Sequence, residues 1–515
     1  MDRKLLELVK IFNHAFMSYV LNIDMDGSIR QVKLNHNQQC VIDILFDIAK
    51  QEKLQAIQRY DNFDELKDYD CLKNYLFSNS NQNLKKILMY TYSGYPQHNP
   101  VQCANSYHYN LLNLAISTYP YFLATINERP RVNFKSHDIN DFFDVDELKK
   151  ITVGEKIISI KSVIDGFKEN ILTSMPISDL LGNVLLNAFE NCCYRMDVTL
   201  DAYLNEVTYF YESMFLYKNK RRHKIPFFIG IYGFVFRDFE VLELEDLVVR
   251  KIDIYKDPLS SVIKYVADID GEHFNTMGVV AEITYDVTLE KNRNISKTVS
   301  IYNEKTIGLT NDIKLRIDNF AFSVLLSKGM LKNIELYFTN SGFLLKSRSI
   351  FEASNDCHNG KKIIITTDDL ADIKFWYGKL SKCQSKNILK PLRDIQSAIL
   401  RDIDDKYSII DALISWESMF TTKEVGKVSS SVIDSISSYI KKGDSNFEVR
   451  VKKLYDLRSD IVHGREPKLF KQESIYELKI EVINIALNCL KKLLCDDELR
   501  DKKPSQRVSL VLREL

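Results

Sequence analysis

The stretch Phe447-Glu-Val-Arg-Val-Lys-Lys-Leu-Tyr-Asp-Leu-Arg-Ser-Asp-Ile-Val-His-Gly464 decides how the C-terminal part of the chain is read. Each helical residue advances about 100° around the axis, so Phe447, Val451, Leu454, Tyr455, Ile461 and Val462 share one face. Arg458 stands in the middle of that face. A guanidinium on an apolar stripe is costly to bury without a partner, so Arg458 either pairs inside a core or faces a cleft. His463 comes five residues later, directly before Gly464. That glycine reads as a helix C-cap and Pro467 as the stop beyond it. The helical rise puts His463 only ~7.5 Å along the axis from Arg458. An ideal helix points the two side chains apart, so convergence needs the helix to end there or a second copy of the stretch to face it.

Upstream, a helix is expected over 406–420, where Ile410, Leu413, Ile414 and Glu417 share a face. Glu417 therefore also stands within an apolar stripe. Two opposite charges on core faces of different helices point to one buried pair between Glu417 and Arg458. The plain alternative is a salt bridge that only sets helix register.

The 515 residues suggest about three units at roughly 150 residues each. Lys plus Arg and Asp plus Glu are both 70, so the total charge gives no sign of a nucleic-acid binder. Nine cysteines are scattered without a CxxC pair, which disfavours a disulfide framework or a zinc cluster and fits a reducing cytoplasm. The start, Met1-Asp2-Arg3-Lys4, carries mixed charge and leads into an amphipathic pattern rather than a signal peptide. The longest nearly apolar run, Ile225–Phe236, falls short of the roughly 20 residues a bilayer span needs, so no membrane contact is expected. There are 17 glycines, about half the usual share. No GxxxxGK, GxGxxG, HExxH or GxSxG occurs, which argues against an NTPase, dinucleotide enzyme, zincin or serine hydrolase built on those motifs.

Three regions follow: a multidomain α+β chain. Residues 1–128 read as a helical N-terminal region. Leu5, Leu6, Val9, Phe12 and Phe16 recur at helical spacing, short helical stretches are expected at Phe63–Leu66 and Leu72–Leu76, and Pro120 is expected to break or kink the apolar stretch Leu111–Ile126. Residues 127–144 read as a linker. Residues 145–365 read as a mixed, β-rich domain with the character of a sensor or regulator. A helix is expected at Leu180–Phe189. Strands are expected at Phe227–Phe236, Glu240–Val249, Val279–Leu289, Lys297–Tyr302, Lys314–Asn319, Asn333–Phe338, Gly342–Ser347 and Ile363–Thr366. From Asp369 on the period is helical to the end, with helices near 369–380, 386–403, 406–420, 425–441, 446–463 and 472–496.

At this point a resemblance can be stated. The HEPN superfamily is defined by Arg, a short spacer and His near the end of a long helix in an all-α bundle. Arg458 and His463 enclose four residues, and the surrounding LYDLRSDIVHGR resembles the ApeA-like HEPN branch. So do Ala412-Leu-Ile-Ser-Trp-Glu-Ser-Met-Phe420 and the apolar final helix from Ile475 to Leu494. The resemblance covers residues 369–500; residues 1–360 resemble nothing identified. One departure is that many active members carry Asn, Asp or His directly after the Arg, where this chain has Ser459, with Asp460 next. Two further Arg…His spacings, Arg30…His36 and Arg131…His137, lack the helix face and are set aside.

The resemblance implies a metal-independent ribonuclease with no cofactor, cleaving RNA, tRNA among the candidates, by attack of the 2′-OH on the adjacent phosphate. His463 would be general acid or base and Arg458 the phosphate holder, with Tyr455, Ser459, Asp460 and Glu417 supporting. It also implies a composite site in a homodimer or larger even homo-oligomer, and a role as toxic effector of prokaryotic anti-phage defence by abortive infection. Residues 1–360 would then sense a phage-derived trigger and restrain the nuclease. Two other readings stand beside it: a non-catalytic dimerisation or nucleotide-binding adaptor, and the toxin of a toxin–antitoxin pair.

The densest basic run, Lys218-Asn-Lys-Arg-Arg-His-Lys224, makes Lys220, Arg221, Arg222 and Lys224 candidates for RNA contact, although such a run is more often a solvated loop before a strand. Asp24/Asp26 and Asp268/Asp270 lack the closing Glu of a calcium loop and read as turns. His223, His273 and His358 have no metal-ligand neighbour at useful spacing, and no metal is expected. Cys192-Cys193 reads as a buried pair on a helix.

Overall fold

The computed structural model describes residues 3–23, 33–59, 87–88, 91–92, 99, 101–125, 139–153, 157–166, 170–214, 222–232, 234–251, 277–291, 307–328, 336–341, 363–383, 385–400, 405–422, 428–465 and 474–513. In chain order it holds α1 (Arg3–Leu21), α2 (His36–Arg59), α3 (Ser106–Ala124), α4 (Val145–Ile151), β1 (Thr152–Val153), β2 (Ile157–Ile164), β3 (Asn170–Pro176), α5 (Leu180–Tyr194), α6 (Leu200–Ser213), β4 (Arg222–Tyr232), β5 (Phe234–Phe236), β6 (Val241–Glu243), β7 (Val248–Lys251), β8 (Met277–Lys291), α7 (Ile307–Lys328), β9 (Leu336–Ser341), β10 (Ile363–Ile365), α8 (Leu370–Ser381), α9 (Lys386–Leu400), α10 (Asp405–Met419), α11 (Val428–Lys441), α12 (Ser445–Val462), α13 (Ile475–Cys495) and α14 (Pro504–Arg513). The chain is α+β: helices, an antiparallel sheet in its middle part, and a run of helices at its C-terminal end.

Two compact units divide it, Met1–Tyr232 with Val248–Thr310 and Leu336–Ser354, and Gly233–Leu247 with Asn311–Glu335 and Asn355–Leu515. In the first, α1 packs on α2 and α3, and α6 on α3 and α5. Aromatic rings fill the seam: Tyr19 and Tyr119 lie 5.0 Å apart, Tyr119 and Tyr203 5.6 Å, Phe122 and Phe189 5.2 Å. Helix α1 breaks at Asn13, whose φ of 69° is left-handed. There Asn13 Oδ1 accepts from Phe16 N (3.0 Å) and Nδ2 donates to the Leu123 carbonyl (2.7 Å), so the side chain caps the second half of α1 and ties it to α3. In the sheet, β4 lies between β8 and β9, with Phe227 opposite Ile283 on one side and Ser341 on the other. On the other edge of β8 stand β2 and β7, and β3 flanks β2, all antiparallel.

Three local expectations change. Residues 240–249, expected as one strand, hold the short strand β6 and the start of β7. Residues 314–319, expected as a strand, lie inside α7. The buried positions Leu309, Ile313, Ile317, Phe320 and Val324 recur every three to four residues, and that period prevails over the β-branched residues within it. Pro120 does not end its helix: α3 runs through it to Ala124, with the Thr118 hydroxyl donating to the Leu114 carbonyl one turn earlier. Strands β2 and β3 and helix α6 have no counterpart in the sequence reading. The expected elements at Phe63–Leu66, Leu72–Leu76, Lys297–Tyr302 and Gly342–Ser347, and the acidic pairs Asp24/Asp26 and Asp268/Asp270, lie outside the described residues.

In the second unit α8 to α14 and the inner face of α7 share one core. Trp416 of α10 is wholly buried at its centre and donates Nε1 to the Val482 carbonyl of α13 at 3.2 Å. Around it gather Leu325, Ile395, Leu413, Ile436, Leu454 and Leu490. Arg450 of α12 holds Glu481 of α13 (Nε to Oε1, 3.0 Å). Strand β10 pairs β5 in parallel, Ile363 opposite Phe234.

Candidate functional site

Helix α12 is set by its ends. Asp444 caps the start, its Oδ1 accepting from Phe447 N at 3.0 Å, with Glu448 favourably placed in the first turn. At the other end Gly464 takes a φ of +64°, its N–H reaches the Ile461 carbonyl (3.1 Å), and Arg465 N–H reaches the Asp460 carbonyl (2.8 Å). That pair of bonds is a Schellman cap, which makes His463 the C-cap residue. No Gly or Pro interrupts the helix, and Val451, Leu454, Tyr455 and Leu457 carry its buried face.

The pair expected to be buried is partly exposed, because Arg458 emerges where that face ends. Its side chain is 40% exposed and turns toward α10, with Nε 3.3 Å from Glu417 Oε1. The same oxygen accepts the Tyr455 hydroxyl at 2.6 Å. Burial, and then the carboxylate it donates to, push the Tyr455 phenol well above its ordinary range. Arg458 Nε is buried and lacks hydrogen-bond geometry to any group. Its Nη atoms carry no hydrogen bond among the described residues, which leave the outer edge of the guanidinium unpaired. His463 is exposed, as are Ser459 and Val462 beside it. Ser459 and Asp460 act through their carbonyls, accepting from His463 N and Arg465 N in the cap.

The expected residues thus separate into two groups. Arg458, Glu417 and Tyr455 come together on one carboxylate oxygen, the phenol joining a pair that the two apolar stripes had suggested without it. His463 stands apart at the helix end, with no side-chain hydrogen bond or ion pair among the described residues. Of the basic run, Lys220 and Arg221 lie outside the described residues; Arg222 and Lys224 sit on β4 in the other unit. Strand alternation turns both outward, Arg222 to Asp165 (3.0 Å), and turns His223 inward, 2.6 Å from Ser213 Oγ. Burial lowers the His223 imidazole to about 4.

Sequence reading missed a charged cluster in the first unit. Glu282 holds Arg195 (3.1 Å) and Arg250 (2.7 Å), Arg195 also meets Glu206, and Asn191 donates to Glu206 at 2.9 Å. Glu282 lies 87 and 32 residues from its two arginines, so no local pattern announces the cluster. Two cations balance two carboxylates here, and burial raises Glu206 against the pull of Arg195. Among the described residues no three His, Cys, Asp or Glu side chains converge as metal ligands, and no helix is long and apolar enough to cross a membrane. No family model matches the chain, and neither a curated protein nor a solved structure is significantly similar to it.

Proposed function

We propose that the chain is a HEPN-type, metal-independent endoribonuclease, and that it serves as an abortive-infection effector against phage. The observation that carries the reading is the end of α12, where an exposed imidazole on a helix cap follows one and a half turns after an arginine whose outer edge the described residues leave unpaired. One imidazole takes the proton from a ribose 2′-OH, and that oxygen attacks the adjacent phosphorus. The new 2′-O–P bond forms as the bond to the 5′-oxygen breaks, a second imidazole returns a proton to the leaving oxygen, and the products carry 2′,3′-cyclic phosphate and 5′-OH ends. Arg458 neutralises charge on the non-bridging oxygens. Glu417, itself held by the Tyr455 hydroxyl, pairs with its inner edge so that the outer edge faces the phosphate. Two imidazoles need two chains, so the active form is a homodimer or a larger even assembly.

The test is induced expression in cells, with and without phage, of the wild type, His463→Ala and Arg458→Ala. Folded variants that lose both toxicity or protection and cyclic-phosphate RNA ends support the nuclease. One observation favours a second reading: Arg458 is already engaged by Glu417, as in a bundle that only dimerises or binds a nucleotide as an adaptor. A His463→Ala chain that still protects, with no RNA cut by the wild type, selects the adaptor.

A further inference from the structure

Helix α8 and the turn between α13 and α14 enclose an open groove of about 500 Å³, within the size range of small-ligand sites. Lys374, Phe375, Lys379, Lys382 and Arg500 line it, against the single acid Asp501. Lys382, the C-cap residue of α8, comes eight residues after Lys374, roughly 12 Å along the axis. Lys382 is held by Glu245 (2.7 Å) and Arg500 by Asp497 (2.7 Å). Lys374 and Lys379 have no carboxylate partner among the described residues. Between them the Phe375 ring is 49% exposed. Trp376 props its edge at 5.0 Å in a T-shaped contact, and Lys379 Nζ lies over one face, 5.7 Å from the centroid, which leaves the opposite face for stacking. An exposed, propped ring beside two lysines without carboxylate partners combines the two elements that hold a single-stranded nucleic acid: a stacking platform and charges that follow the backbone.

We propose that this groove binds a segment of single-stranded RNA, with phosphates on Lys374 and Lys379 and one base stacked on Phe375. The choice of RNA among polyanions rests on the ribonuclease reading; binding itself is independent of cleavage.

The test is fluorescence anisotropy of a labelled 12-nucleotide oligouridylate on the full chain carrying His463→Ala, so that the RNA stays intact. In that background Phe375→Ala weakens binding about tenfold and Phe375→Trp restores it. Lys374→Glu with Lys379→Glu weakens it at least tenfold and lowers the salt slope by about two. Thermal melts check folding; if the charge reversal unfolds the chain, the Phe375 pair still decides. Undiminished binding by Phe375→Ala overturns the proposal, and so does displacement of the RNA by polyglutamate together with insensitivity to Phe375, which marks a dock for an acidic protein. If groove variants bind normally while the wild type cleaves RNA, the groove falls and the nuclease stands. If the groove binds but the wild type cuts nothing, the reverse holds.

Discussion

Arg458 Nε lies 3.3 Å from Glu417 Oε1, and that oxygen already accepts the Tyr455 hydroxyl. The pair is partly exposed, so its charge contributes less than about 1 kcal/mol, whereas the buried phenol depends on having an acceptor. Glu417→Gln keeps an acceptor and is expected to cost under about 1 kcal/mol; Glu417→Ala leaves the phenol only its Ser429 partner and costs a further ~1 kcal/mol. Urea unfolding of the two variants checks this, and equal losses would contradict it.

Gly464 holds the left-handed position of the cap, and a Cβ there meets nothing within 4 Å. Gly464→Ala therefore costs backbone strain alone, about 1 kcal/mol. The unfolding midpoint measures it. A loss of several kcal/mol would mean that the helix end is packed more tightly than the free space around Gly464 allows.

Arg507 of α14 is fully buried without a carboxylate within ion-pair distance among the described residues. It donates instead to the carbonyls of Leu499 (2.9 Å), Arg500 (2.7 Å), Asn387 (3.3 Å) and Met419 (3.4 Å). One guanidinium thereby satisfies the ends of several helices. Arg507→Met removes all of those bonds, the Leu499 carbonyl alone keeping a second donor in Lys502 N–H (3.1 Å), and is expected to cost about 3 kcal/mol or more. A loss under about 1 kcal/mol in denaturant titration would refute that role.

His223 is buried and neutral, lowered to about 4 from an unfolded value near 6.5. On acidification the unfolded chain takes the proton first, so the stability this group contributes is intact above pH 6.5 and is lost as pH falls toward 4. Against a His223→Gln control, the wild-type unfolding midpoint should drop across that window. Parallel curves would show that His223 does not drive the change.

Local periodicity made the C-terminal helices legible. Helices expected at 386–403, 406–420 and 446–463 appear as Lys386–Leu400, Asp405–Met419 and Ser445–Val462, because caps and apolar spacing act within a few residues. The same reasoning misassigned residues 314–319, where the alternation Lys-Leu-Arg-Ile-Asp-Asn is too brief for its own period to separate strand from helix.

By itself, then, the amino-acid sequence determined the helix ends, the glycine that stops α12, and the two apolar stripes bearing Glu417 and Arg458. Only the tertiary structure decided that Tyr455 shares their carboxylate, that Arg507 collects carbonyls from segments up to 120 residues away, and that Lys374, Phe375 and Arg500 line one groove. The first set depends on interactions along one helix. The second depends on which faces meet across the core, which no window of neighbouring residues contains.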